Sequence, residues 1–178
     1  MNNFPTRKLV IAGICLALAM VLPFLTAQIP QVGVLLSPMH IPVLLCGFLA
    51  GWPLGMLVGF IAPFLRFVLF GMPHLFPMGI AMAFELGAYG LTSGLIYRAL
   101  PRKMSSIYTA LVAAMLGGRA IFGIAMYILL RTGGSMYTFQ AFFAAAFTNA
   151  IPGIVLHILV IPPIVSALQN AGLVPDKV

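Results

Sequence analysis

The sequence predicts an all-α integral membrane protein that folds as a compact bundle of six transmembrane helices. Three properties of the 178-residue chain predict this: 62% of its residues are hydrophobic, only 6% are charged, and its mean hydropathy is +1.15. A chain of this composition could not stay monomeric in water. Roughly six spans of about 20 residues would use up its length, so we expect residues 1–178 to form a single domain with no separate soluble part.

Apolar runs separated by prolines and turn residues give the order of the helices. The first run follows Arg7 and Lys8 and lacks a good small-residue cleavage pattern, so we interpret it as a retained helix and not as a signal peptide. The second run is short for a full span. The sixth contains Pro152 and the Pro162-Pro163 pair, where we expect a kink. The predicted helices are 9–27, 38–50, 53–70, 77–97, 106–130 and 139–168.

Lysine and arginine residues outside the spans predict the orientation. In a six-span arrangement Arg131 is alone on one side. The other side carries Arg7, Lys8, Arg98, Arg102, Lys103 and Lys177. Because cytoplasmic loops are rich in these residues, we expect both termini to be cytoplasmic. The same distribution accounts for the net charge of +7 without a nucleic acid partner.

Three ionisable residues fall inside predicted spans, where a charge is expensive. They are Arg66, Arg119 and Glu85, which is one of only two acidic residues in the chain. Counting about 1.5 Å per residue places all three, together with Asn149, between the outer face and the midplane. We therefore expect them to meet around a polar pocket that opens outward, with Glu85 ionised beside an arginine. A purely structural ion pair is the alternative.

Further residues fall at the same level or in the external segments. Tyr89 lies one turn from Glu85 on the same helix face, and Gly117 and Gly118 precede Arg119 where a ligand or another helix could approach closely. His157, counted along the sixth helix, falls near the cytoplasmic end, and we expect it to be structural. The other predicted substrate-binding residues are His40, which we place at the membrane surface at the outer end of the second helix, and Met39, Phe139 and Gln140 in the external segments.

The chain lacks the motifs of common enzyme classes. It has no Walker A motif, HExxH, GxSxG or paired carboxylates, so we expect neither catalysis nor a cofactor. Cys15 and Cys46 lie in apolar runs and predict neither a metal site nor a disulfide. Gly13 and Ala17, four residues apart on the first helix, predict a surface where another helix can approach closely.

Several of these features occur together over nearly the whole chain: a basic N-terminus, small residues at four-residue spacing, a long first external loop, and the stretch SPMHIPVLLCGFLAGWPLGMLVGF. In this combination the chain resembles the substrate-binding S components of energy-coupling factor (ECF) vitamin transporters. Glu85 and Asn149 match positions that hold substrate in thiamin-type members. The resemblance implies a prokaryotic plasma-membrane protein that delivers its vitamin by toppling, with a transmembrane coupling subunit and two cytoplasmic ATPases as partners. The ATPases would use the ATP, and Gly13 and Ala17 would face the coupling subunit.

The stretches MHIPVLLCG and FGMPHLFPMGIAMAFELGAYGLTSGL are most similar to members assigned to vitamin B6, pyridoxine or pyridoxal. Such a ring could use Glu85 as a hydrogen-bond acceptor, an arginine for its phenolic oxygen and aromatic walls for stacking. Two arginines against one glutamate would equally suit a carboxylate vitamin such as pantothenate or niacin. An autonomous proton-coupled secondary carrier, with Glu85 as its proton site, is the alternative from a different class.

Overall fold

The computed structural model describes residues 6–26, 37–101, 103–132 and 151–172. Within these ranges the chain forms six α-helices and no strand. The helices are α1 (Thr6–Val21), α2 (His40–Ala50), α3 (Trp52–Phe70), α4 (Ile80–Ala99), α5 (Met104–Thr132) and α6 (Ile151–Asn170). A 3₁₀ turn, Leu22–Thr26, extends α1, and a π-helical turn, Leu75–Gly79, leads into α4.

The helix lengths confirm an all-α membrane bundle. Five segments are long and apolar enough to cross a bilayer: Thr6–Phe24, Trp52–Phe70, Leu75–Ala99, Met104–Thr132 and Ile151–Asn170. As expected from the sequence, α2 is shorter; its 11 residues cover about 16 Å, roughly half of a hydrocarbon core about 30 Å thick. The predicted start of the sixth helix, residues 139–150, lies outside the described residues.

Glycines let α2, α3 and α4 pack with their backbones close together. A Cβ atom on Gly90 of α4 would overlap the backbone of Gly55 on α3, and one on Gly47 of α2 would overlap the hydroxyl of Ser93. Small residues of this kind are what allow membrane helices to approach closely. Three helices therefore form a tight unit.

The short connection between α2 and α3 determines where α2 begins. Gly51 makes the turn with a φ of 95°, a conformation that glycine adopts without strain. Gly47 and Gly55, each four residues from this turn, lie against each other, so the two helices run antiparallel. His40 at the start of α2 and Ala62 in the middle of α3 are each 11 residues from Gly51, so these two residues lie at the same level in the bundle.

Candidate functional site

The Glu85 carboxylate is buried between helices. Glu85 lies on α4 with 1% of its surface exposed. Its Oε1 atom accepts a hydrogen bond of 2.9 Å from the hydroxyl of Tyr89, one turn further along α4. Nη1 of Arg119, on α5, lies 3.2 Å from the same oxygen. Oε1 therefore has two polar partners, and Arg119 is the arginine that pairs with Glu85.

The second carboxylate oxygen faces His40. The Nε2 atom of His40, at the start of α2, lies 3.6 Å from Oε2 of Glu85, which is longer than a direct hydrogen bond. Because a carboxylate oxygen can accept two hydrogen bonds, Oε2 keeps capacity that the described residues do not use. His40 is 3% exposed; it lies inside the bundle and not at the membrane surface where we placed it, since the short α2 starts at mid-height.

Gly118 of α5 makes room for Tyr89. A Cβ atom at this position would overlap the Tyr89 ring, whereas one on Gly117 would meet none of the described residues within 4 Å. Among the contacts that the structure describes, Gly118 and not Gly117 is therefore needed for packing. It lets the tyrosine ring lie close against α5 with its hydroxyl at the Glu85 carboxylate.

His157 is a residue of this cluster that the sequence analysis missed. It lies on α6, is 1% exposed, and its ring is nearly parallel to that of His40, at an angle of 21° with the ring centroids 6.0 Å apart. The prediction that His157 lies near the cytoplasmic end is wrong, because α6 continues to Asn170, about 20 Å further on. The sequence could have shown this. If the depth of His157 is counted back from the predicted end of the sixth helix at residue 168, instead of forward from residue 139, the residue falls near the middle of the membrane.

Arg66 lies apart from this cluster. Its Nη1 atom donates a hydrogen bond of 2.9 Å to the carbonyl oxygen of Met20. Its guanidinium lies over the rings of Phe24 and Phe70, 5.6 and 5.3 Å from the centroids. The structure therefore does not bring Arg66 to Glu85, and its predicted role as a substrate ligand stays a prediction.

The remaining predicted residues divide into two groups. In the first group, Met39 is buried beside His40, and Gly13 and Ala17 lie on the exposed face of α1, where no described residue comes within 4 Å of a Cβ atom on Gly13. The other three, Phe139, Gln140 and Asn149, lie outside the described residues.

Several buried polar atoms of the cluster have no hydrogen-bond partner among the described residues. They are the two ring nitrogens of His40, Nε of Arg119, and the ring nitrogens of His157, which the backbone of Ser37 approaches without a well-formed hydrogen bond. A buried donor or acceptor without a partner costs about 1–3 kcal/mol, and ionisable residues inside a membrane are usually functional. Yet no group of three His, Cys, Asp or Glu side chains in the described ranges is arranged to hold a metal ion. The arrangement suits hydrogen bonding to a small polar molecule.

A family model described as "ECF transporter, substrate-specific component" matches residues 7–165. The chain belongs to this family. No curated protein and no solved structure is significantly similar to it. As an S component it is a multi-pass membrane protein of a transporter and not an enzyme. Membership also implies a small-molecule substrate and association with an ECF coupling module and its ATPases. The helices that carry the Glu85 cluster all begin within the matched range.

Proposed function

We propose that this S component binds a small water-soluble vitamin, best matched by pyridoxine or pyridoxal, in an outward-facing site at Glu85. It delivers the vitamin by toppling in the membrane on an ATPase-driven coupling module. The observation that carries the proposal is the meeting of Glu85, Arg119, His40 and Tyr89, which come from three helices and are each less than 10% exposed. A convergence of polar groups within apolar walls is typical of a small-molecule site.

The charge of the cluster favours vitamin B6 over a carboxylate vitamin. Glu85 lies 3.2 Å from Arg119 and balances its charge, and Arg66 is engaged elsewhere. A carboxylate ligand would therefore meet no uncompensated guanidinium among the described residues, and burying an unbalanced charge is costly. Pyridoxine carries a pyridine nitrogen, a phenolic oxygen and hydroxymethyl arms, which need both donors and acceptors.

The free capacity of the cluster matches these groups. Nε of Arg119 can donate to the phenolic oxygen, and Oε2 of Glu85 can accept from a hydroxyl. The rings of Tyr89 and His40, with centroids 5.3 Å apart, offer flat surfaces for the pyridine ring. We assign further contacts to Met39 and, outside the described residues, to Phe139, Gln140 and Asn149.

Identification of the bound molecule tests this proposal directly. The protein is purified from cells supplied with B vitamins, and co-purified small molecules are identified by mass spectrometry. Titration calorimetry then compares pyridoxine, pyridoxal, pantothenate and nicotinate. We expect binding of a B6 vitamer and no comparable affinity for the two carboxylates. Binding of pantothenate or nicotinate alone would select the alternative substrate class, and uptake by the isolated chain in proteoliposomes without ATP would instead indicate a secondary carrier.

The exposed stripe formed by Gly13 and Ala17 is proposed to dock the coupling subunit. Small side chains allow close backbone approach where leucine would hold the helices apart. We expect Ala17→Leu to abolish ATP-dependent uptake by the complete transporter while the purified chain still binds its vitamin. Ala167→Leu, the same change at an exposed position on α6, is the matched control and should leave uptake intact. Loss of vitamin binding in Ala17→Leu would show that the stripe supports packing within the bundle.

A further inference from the structure

His157 is a buried residue beside the proposed site that has no role in the substrate contacts assigned above. We propose that His157 contacts the substrate directly, and that His40 and His157 together bind neighbouring hydroxyl groups of a flat heteroaromatic ring. The inference rests on the proposed function, because it gives a further ligand to the same site and defines the chemistry of what that site takes.

The geometry separates two sides of the Glu85 carboxylate. On one side, Oε1 is engaged by Tyr89 and Arg119. On the other, Oε2 faces Nε2 of His40 at 3.6 Å, and the His157 ring stacks nearly parallel to that of His40. The hydrogen-bonding capacity that the described residues leave unused at the carboxylate is therefore on the side of His40, the ring that His157 contacts.

The position of His157 on α6 argues against a purely structural role. The buried stripe of this helix continues with Ile161 and Val165, both 0% exposed, at the four-residue spacing of a helix face. An apolar side chain at position 157 would extend this stripe. A histidine there instead buries two nitrogens that make no well-formed hydrogen bond to the described residues. The backbone of Ser37 approaches the ring and can serve one nitrogen at most, so at least one stays unmatched, at a cost in stability. A ligand that forms hydrogen bonds with these nitrogens would offset the cost of a histidine at position 157.

The two histidines favour hydroxyl groups over a carboxylate. A neutral imidazole has one donor and one acceptor nitrogen, and so a pair of them offers two of each; a hydroxyl group also both donates and accepts. An ionised carboxylate only accepts and would leave the acceptor nitrogens unmatched. The substrate class that fits is a small aromatic heterocycle with two or more hydroxyl or hydroxymethyl groups.

The test compares ligands as well as variants. Pyridoxine and a set of deoxy analogues, each lacking one hydroxyl, are titrated into the full-length protein and into His157→Phe, which keeps a flat buried ring but has no ring nitrogen. We expect the substitution to weaken pyridoxine binding by about tenfold to hundredfold. For one analogue the loss should be much smaller, because that analogue lacks the hydroxyl that His157 binds. His157→Asn or His157→Gln should recover part of the affinity, according to which nitrogen makes the contact.

A matched control is available on the same helix. Gln169 also has a buried side-chain nitrogen without a described partner, but lies about 18 Å further along α6, so Gln169→Leu should bind pyridoxine like the unaltered protein. Equal losses for pyridoxine and every analogue, or no loss at all, would overturn the inference while the proposed function stands. If the unaltered protein binds neither pyridoxine nor pyridoxal, the proposed function has failed first. If His157→Phe does not fold, the same comparison of analogues with His157→Gln decides.

Discussion

Two arginines inside the membrane are buried to nearly the same extent but have different surroundings. Arg66 is 6% exposed and Arg119 is 7% exposed. Arg119 meets a carboxylate that also contacts Tyr89 and His40, whereas Arg66 meets a backbone carbonyl and two aromatic rings. Burial of a cation is therefore not what distinguishes the proposed binding site from the surroundings of Arg66. The distinguishing feature is a convergence of polar side chains from several helices with hydrogen-bonding capacity to spare.

The surroundings of Arg66 indicate a structural role. Its hydrogen bond to Met20 joins the last part of α3, one turn before Phe70, to the end of α1. Phe24 and Phe70 pack edge to face beside it, with centroids 5.0 Å apart. Cation–π contacts are worth about 0.5–1 kcal/mol at exposed sites and about 2 kcal/mol or more when desolvated. Arg66 thus stabilises the packing of α1 against α3, whereas Arg119 balances the charge of Glu85 at the proposed substrate site.

The largest expected effect comes from Arg119→Leu. This variant leaves Glu85 without the guanidinium that lies 3.2 Å away, and removing one member of a buried ion pair typically costs about 3–5 kcal/mol. We expect a clear fall in the thermal unfolding temperature of the purified protein and loss of detectable vitamin binding.

The double variant Arg119→Leu, Glu85→Leu serves as its control. Replacing both members of a buried pair by apolar side chains is often neutral for stability, so the double variant should unfold near the temperature of the unaltered protein and still not bind. If Arg119→Leu alone changes neither stability nor affinity, the ion pair of Arg119 with Glu85 contributes neither to folding nor to vitamin binding.

The next largest effect is expected for Glu85→Gln, which keeps the shape of the side chain but removes its charge. Binding should weaken by roughly 1.5–3 kcal/mol, the range for a hydrogen bond to a charged group. This corresponds to about a tenfold to hundredfold higher dissociation constant by titration calorimetry. Ser93→Ala is the control: it removes a buried hydroxyl about 12 Å further along α4 and should bind normally. Unchanged affinity in Glu85→Gln would make Glu85 only the structural partner of Arg119.

The sequence was sufficient to predict the helix order, the short second helix and the pairing of Glu85 with an arginine. These follow from hydropathy and from the cost of a charge in hydrocarbon. It could not choose between Arg66 and Arg119, because counting along a helix gives the height of a residue but not the direction in which its side chain points. That choice depends on how the helices are rotated against each other.

His157 was missed for a related reason. Its depth was counted from residue 139, and His40 was placed at the outer end of the second helix although that helix was expected to be short. The tight turn at Gly51, which brings the start of α2 to mid-height, is the tertiary feature that the span count did not include. The roles of Asn149, Phe139 and Gln140, the orientation of the termini and the single-domain organisation of residues 1–178 stay predictions.

The smallest effect on binding is expected for Arg66→Met, and this variant tests the comparison most directly. Methionine fills a similar volume but loses the hydrogen bond to Met20 and the contacts with Phe24 and Phe70. Part of that loss is offset because a charge is no longer buried at membrane depth. We expect the free energy of unfolding to fall by about 1–2 kcal/mol, measured as a lower thermal unfolding temperature.

Affinity separates the two arginines more sharply than stability does. Changes at sites without shared partners are usually independent to within about 0.5 kcal/mol, so Arg66→Met should leave the dissociation constant for pyridoxine within about twofold of the unaltered value. Arg66→Lys, which keeps the charge, should bind equally well. A tenfold loss in Arg66→Met that Arg66→Lys restores would show that the charge of Arg66 reaches the ligand. In that case Arg66 would supply a second cation to the site, and a carboxylate vitamin would find an uncompensated guanidinium to bind.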